Sequence, residues 1–322
     1  MDGGVKMKYK IKEFLKNFYH TLSKKSERIK KNKKYLIIRR RGENLGLGSY
    51  IITNLGAIHY AISHDVLPVI DMKTEKNCCQ SKGEQGKKNA WELYFEQPIS
   101  IKKEEITKKN AQITYQIYDI RPSDSMEFFT NEELVSYWHT LAKKYMKFNL
   151  NTKEYLEKKQ NEIFSDKKNI LGVLCRGTDY VHLKPFGHPV QPTVDEIILK
   201  IDKLSKKMAI DFIFLATEDE EILNAFKEKY ASKLLYLDAL RYTYKKDKYI
   251  AQLDEEKGVD IYKKNLDYLT TLYLLSKCDY FIGGRTSGTV CAMLLSDGFK
   301  YTYFWNKGRY GMDEELKLGK KG

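Results

Sequence analysis

The chain has 322 residues, 42% of them hydrophobic and 31% charged. That composition excludes a disordered or fibrous chain, and the length suits two α/β domains better than one core. Lys and Arg number 57 against 43 Asp and Glu, a net charge of +14, which favours an anionic partner: a phosphate-bearing small molecule, acidic lipid or nucleic acid. The five cysteines, Cys78, Cys79, Cys175, Cys278 and Cys291, are odd in number, and two are adjacent. They read as reduced thiols of a cytosolic protein rather than a disulfide framework. With the six histidines they show no metal-ligand spacing, so no metal is expected. No continuous apolar run opens the chain, and neither a signal peptide nor a membrane span is expected.

Residues 8–34 read as a basic amphipathic helix, with Ile11, Phe14, Leu15, Phe18 and Leu22 at helical spacing. It either lies on anionic lipid or packs one stripe against the domain. Residues 34–39 form the first strand. A turn bearing Asn44, Gly46 and Gly48 follows, and then a helix through Ile52, Leu55, Ile58 and Ala61. Such a strand, turn and helix N-terminus suits an anion or a sugar hydroxyl. Ile51 stands where the dinucleotide fingerprint needs a third glycine, which argues against a nicotinamide enzyme. Residues 66–71 form the next strand and 73–89 a mobile polar loop. Residues 90–95 read as an aromatic helix and 111–118 as a strand. Residues 131–146 are helical from an Asn131 cap, and 151–164 form a polar helix.

In the second half the strands fall at 170–175, 211–216, 234–238, 278–283 and 301–305. Between the first two, a histidine- and proline-bearing loop runs over 180–192, and Thr193 with Glu196 forms a capping box. Residues 242–258 read as a charged, tyrosine-rich loop and 260–276 as a helix. A further helix begins near Thr289, and a frayed tail starts at Asn306. Three strands end in polar clusters: Arg176, Gly177, Thr178 and Asp179; Thr217, Glu218 and Asp219; and Gly284, Arg285, Thr286, Ser287 and Gly288. In a parallel sheet all three share one crevice. Arginines clamp a diphosphate with paired bonds, and a helix N-terminus adds N–H donors. Together the clusters read as a nucleotide-diphosphate site.

The runs Gly172-Val-Leu-Cys-Arg-Gly-Thr-Asp179, Gly187-His-Pro189, Ile213-Phe-Leu-Ala-Thr-Glu-Asp219, Leu275-Ser-Lys-Cys-Asp-Tyr-Phe281 and Thr286-Ser-Gly288 resemble the donor-domain motifs of the fucosyltransferase superfamily. The α1,6-fucosyltransferases, nodulation enzymes included, and the protein O-fucosyltransferases are the nearest branches. The resemblance spans about residues 169–296 and is weaker in the first half, where it is confined to the Asn44–Ser49 turn and following helix. It implies an α/β fold of two Rossmann-like domains facing across a cleft (GT-B type). It also implies an inverting, metal-independent transfer of fucose from GDP-fucose, with no cofactor beyond the donor.

On this resemblance Arg176 is the essential arginine at the donor diphosphate. Glu218 and Asp219 contact guanine or ribose, Ser287 contacts phosphate, and Asp179 is the motif's aspartate. Thr217, His188, Arg285, Thr286 and Gly288 join the donor site, while Asn44, Gly46 and Gly48 lie on the acceptor side. Gly177 departs from the second arginine of many relatives, and Leu174 from a frequent histidine. Glu43 leads as base, with His182, His188 and Asp179 as rivals; each has a structural alternative. The expected division is an acceptor-side domain over 1–165, a donor domain over 166–305 and a basic tail over 306–322. The partners are a nucleotide sugar and a glycan, with peripheral contact to an anionic membrane as an option. A cytoplasmic protein making bacterial surface polysaccharide fits this picture. Other readings stay open: a transferase for a different nucleotide sugar, a non-catalytic GDP-sugar binder, or a nucleic-acid-binding protein. The last lacks basic residues clustered on an aromatic recognition motif.

Overall fold

A computed structural model describes residues 34–42, 45–100, 103–244, 254 and 258–312. Two parallel sheets organise them. In the first, β1 (Tyr35–Ile38) lies between β2 (Leu67–Ile70) and β3 (Ala111–Thr114). Tyr35 stands level with Leu67 on one side and Ala111 on the other. The four β1 side chains are all buried, which explains why this strand reads as an unbroken apolar run. α1 (Leu47–Ser63) joins β1 to β2 and is buried along almost its whole length.

Connecting helices lead to the second sheet: α2 (Met126–Thr130), α3 (Glu132–Tyr145) and α4 (Leu150–Phe164). Asn131 caps α3 through its side chain, which accepts a bond from Leu134 N, as its sequence implies. The second sheet contains β4 (Ile170–Leu174), β5 (Phe212–Ala216), β6 (Leu234–Leu235), β7 (Tyr280–Gly283) and β8 (Tyr301–Phe304). Their order is β6-β5-β4-β7-β8, all parallel. The helices of this half are α5 (Thr178–His182), α6 (Val194–Ser205), α7 (Glu220–Tyr230), α8 (Ile261–Ser276) and α9 (Ser287–Leu295).

Alternation along the strands divides the core. Leu171, Val173, Ile213, Leu215 and Ile282 turn to one face, where Ile197 and Ile201 of α6 and Leu223 and Phe226 of α7 cover them. Ile170, Leu174, Phe214 and Phe281 turn to the other face and join a larger core running through α8 and α9 into the first sheet. Gly172 permits that packing: a Cβ there would stand 3.1 Å from both Cys278 Sγ and Leu275 Cδ2. α9 packs against both α1 and α3. Across this contact His139 Nδ1 lies 2.9 Å from the Leu294 carbonyl, and beside it the Phe129 ring of α2 meets the Phe304 ring of β8 at 4.5 Å.

Several sequence-based expectations change. Residues 90–95 make only one 3-10 turn, Trp91–Leu93, because Asn89 Oδ1 ties Trp91 N back to Met72 N. The chain then leaves to bridge Phe95 with Phe148. The loop over 73–89 is anchored: Asn77, Cys79 and Gln80 are buried, and Asn77 Nδ2 donates to the Met72 carbonyl at 2.9 Å. β3 stops at Thr114, where Arg39 N makes the last ladder bond to its carbonyl, so 115–118 are not strand. Of the tail expected to fray from Asn306, residues 307–312 are held in place: Gly187 N bonds the Tyr310 carbonyl, and Val190 N bonds the Gly308 carbonyl, and the rest of the tail lies outside the described residues. The strand read at 234–238 is two residues long. The helix read at 8–34 lies outside the described residues except for Lys34, which is not helical. All five cysteines are free thiols. Among the described residues no helix is long and apolar enough to cross a membrane.

Candidate active site at the carboxyl ends of the second sheet

The chain runs outward from β4 through β5 to β6, then crosses to the other side of β4 for β7 and β8. The order therefore reverses at β4, and such switch points open a crevice at the carboxyl ends of the strands. Leu174 lies level with Ala216 on one side and Gly283 on the other. The three polar clusters that follow those residues are neighbours in space.

Arg176 leaves β4 partly exposed and is held from two directions. Its Nη1 lies 3.2 Å from Glu218 Oε2, and its guanidinium stands 5.3 Å from the Tyr180 ring centre. Glu218 also ties down the turn, because its Oε1 accepts from Gly177 N at 3.0 Å and from Thr178 Oγ1 at 3.1 Å. Asp219 is 6% exposed, and both its oxygens are engaged within the protein. Oδ2 accepts from Thr178 N at 2.9 Å, while Oδ1 caps α7 through Glu221 N and Ile222 N. Thr217 Oγ1 accepts from Asp219 N. The acidic pair thus braces the arginine loop, and Thr178 is held at φ 46°, a strained value for a β-branched residue. Gly177 has a steric cause: a Cβ there would stand 2.7 Å from the Asp219 Cβ and collide with its carboxylate.

Arg285 is 5% exposed. Its Nη2 donates to the Gly308 carbonyl at 3.3 Å, and its buried Nε has no partner among the described residues. Burial first, and then neighbouring Arg309, lower its pKa below the usual arginine value. Arg309, on the tail, bonds Asp124 at 2.6 Å and the Gly187 carbonyl at 2.8 Å. Tyr180 lies within the electrostatic reach of Arg176 and Arg309, and burial above all raises its pKa. The exposed His188 places Nδ1 3.2 Å from the Tyr180 hydroxyl, and His182 stacks on Tyr244 at 3.9 Å. Gly284 is pressed against Gln191, which spans from the Pro189 carbonyl to the Arg285 carbonyl.

α9 begins at Ser287 and is capped by Thr286, whose hydroxyl accepts from Thr289 N at 3.2 Å. Opposite it lies the start of α1. Gly46 is the N-cap there and offers no side-chain bond; Ser49 N and Tyr50 N turn back to its carbonyl, so the Leu47 and Gly48 N–H groups are the donors left to the crevice. Gly48 meets the second half directly: a Cβ on it would stand 3.4 Å from Ser287 Cβ and 2.5 Å from Tyr268 Oη. Gly288 lies beside the same phenol. Glu43, Asn44 and the Asp179 side chain lie outside the described residues. Among the described residues no group of three or more His, Cys, Asp or Glu side chains could hold a metal ion.

The geometry thus brings Arg176, Thr217, Glu218, Asp219, Thr286, Ser287, Gly288 and Gly48 around one crevice. Sequence reasoning missed Tyr268, Gln191 and Arg309. Tyr268 sits inside an ordinary helical pattern. Arg309 lies in a stretch whose pairing with residues 187–190 leaves no local signature.

The sequence matches no family model and no curated relative. Solved structures do resemble the chain. The α-1,6-fucosyltransferase NodZ soaked with GDP-fucose superposes with a TM-score of 0.53 at 16% identity, covering 87% of this chain and 97% of that one. Selenomethionine NodZ from Bradyrhizobium gives 0.52 at 16% identity with the same coverage. A mutant FUT1 from Arabidopsis thaliana in complex with GDP gives 0.51 at 11% identity, covering 87% of this chain and 74% of that one. The chain shares its mixed α/β fold with these fucosyltransferases.

Proposed function

We propose that the chain is a fucosyltransferase that takes GDP-fucose as donor and transfers fucose, with inversion, to a hydroxyl of a glycan. The observation that carries this reading is the position of Arg176. It stands at the switch point of the second sheet, braced by Glu218, in a fold shared with enzymes crystallised with GDP-fucose or GDP. Residues 166–305 would hold the donor and 1–165 would face it from the acceptor side across a cleft.

In this reading the acceptor oxygen attacks the anomeric carbon, the bond from that carbon to the β-phosphate oxygen breaks, and its electron pair leaves with GDP. Arg176 and the N–H groups at the start of α9 meet the charge that develops on the diphosphate, the largest lever available to such a site. Glu218 and Asp219 hold the arginine loop in place, and Arg285 fixes the tail beneath it. Glu43 is the candidate that takes the acceptor proton. The basic segment over 8–34 would bring the enzyme to an anionic membrane surface, and a surface polysaccharide would be the acceptor.

A thermal-shift panel tests the donor assignment. GDP and GDP-fucose should raise the melting temperature more than UDP or ADP, since a ligand that binds only the folded state stabilises it. A stronger shift with UDP- or ADP-sugars would overturn the assignment.

A further inference from the structure

We propose that Tyr268 is a donor-binding residue whose phenol hydroxyl hydrogen-bonds the diphosphate of the nucleotide sugar beside Ser287. The assignment rests on the function proposed above and adds a contact from the middle of a helix that none of the three strand-end clusters supplies.

Tyr268 lies on α8 and sends its hydroxyl to the place where α1 and α9 begin. A Cβ on Gly48 would stand 2.5 Å from that oxygen, and one on Gly288 would stand 3.3 Å from it. The phenol is also close enough to Arg176 and Glu218 for their charges to act on it. The Tyr268 hydroxyl and the Ser287 side chain therefore meet Gly48 at one spot between the halves, and neither hydroxyl makes a hydrogen bond among the described residues. Tyr268 is only partly buried, so its hydroxyl is reachable from the crevice, whereas the hydroxyls of buried tyrosines are satisfied within the protein. Here Tyr50 bonds the Gly42 carbonyl at 3.0 Å, and Tyr94 bonds the Cys79 carbonyl at 3.0 Å. Burial raises the Tyr268 pKa, so the group is a neutral donor at physiological pH. What it can bind as a donor is an acceptor. The uncapped start of α1, the start of α9 and Arg176 all select an anionic acceptor, which a phosphate oxygen provides.

Calorimetric titration of the full chain with GDP and with guanosine separates this role from a structural one. Tyr268→Phe should weaken GDP binding about 10- to 100-fold, the loss expected for a hydrogen bond to a charged group, and should leave guanosine binding unchanged. Equal loss of GDP and guanosine, or no loss of GDP, would overturn the assignment. If Tyr268→Phe lowers the melting temperature, Gly48→Ala serves instead, because its methyl group would occupy the space at the hydroxyl. It too should weaken GDP selectively, and GDP binding like that of the wild type would count against the proposal. A wild-type chain that binds no GDP overturns the parent function along with it. GDP binding that both variants leave intact overturns only the role of Tyr268.

Discussion

Arg176 is the residue on which the proposed chemistry depends, and its surroundings explain how a partly exposed guanidinium keeps one position. Glu218 pairs with it while also bonding Gly177 N and the Thr178 hydroxyl, so carboxylate, loop and arginine move as a unit. Arg176→Ala should lower fucose transfer by about 10²–10³-fold. Arg176→Lys should recover only part of it, since an ammonium cannot form paired bonds to a diphosphate. GDP release from GDP-fucose measures both, and a wild-type rate in Arg176→Ala would contradict the role. His59 illustrates a separate residue-scale effect. It is 4% exposed, it lies 2.5 Å from the Tyr137 hydroxyl, and burial, followed by the charge of His64, pushes its pKa down from 6.5 to about 4. The unfolded chain therefore binds this proton first. Stability from this group is full above pH 6.5 and falls as pH drops toward 4. Between pH 7 and pH 5 the loss from His59 should be about 2 kcal/mol. Urea unfolding of wild type and His59→Gln should show their stability gap narrowing by that amount, and a constant gap would refute it. At this scale the sequence was partly legible. Arg176 announces itself where an apolar strand breaks into polar residues. Tyr268 does not, because its meaning comes from Gly48 and Ser287, residues 220 and 19 positions distant in numbering.

At the scale of elements, legibility followed the range of the interactions involved. The Thr193–Glu196 capping box is local, and it forms as its spacing implies. Thr193→Ala should cost about 1 kcal/mol, read as a shift in the urea midpoint. An unchanged midpoint would mean that tertiary packing alone holds α6. The segment over 306–312 is the opposite case. Its polar, basic sequence suggests fraying, yet Gly308 and Tyr310 pair with residues 187–190, and Arg309 reaches Asp124 in the first half. A chain ending at residue 305 should expose the loop around Lys184. Chymotrypsin should then cut after Phe186, in that loop, several-fold faster than in the full chain, and equal cleavage would show that the pairing contributes nothing to the loop. The aromatic stretch around Trp91 was misread for a similar reason. Asn89 and the Phe95–Phe148 bridge, both tertiary, stop the helix after one turn.

At the scale of the whole molecule, the strands were legible because both faces of the second sheet are covered and its inner strands β4, β5 and β7 are apolar throughout. Their parallel order was inferable from the alternation with helices, although the packing of α9 on α1 and α3 was not. That packing brings Gly48 to Ser287 and Tyr268, so one crevice draws on residues from both halves. In the function proposed here, this crevice is the diphosphate site. Hydrogen–deuterium exchange with and without saturating GDP tests its location directly. Bound GDP should slow exchange in residues 175–180, 284–290 and 46–50 and leave the rest of the first sheet unchanged. Protection confined to other segments, or none at all, would contradict it.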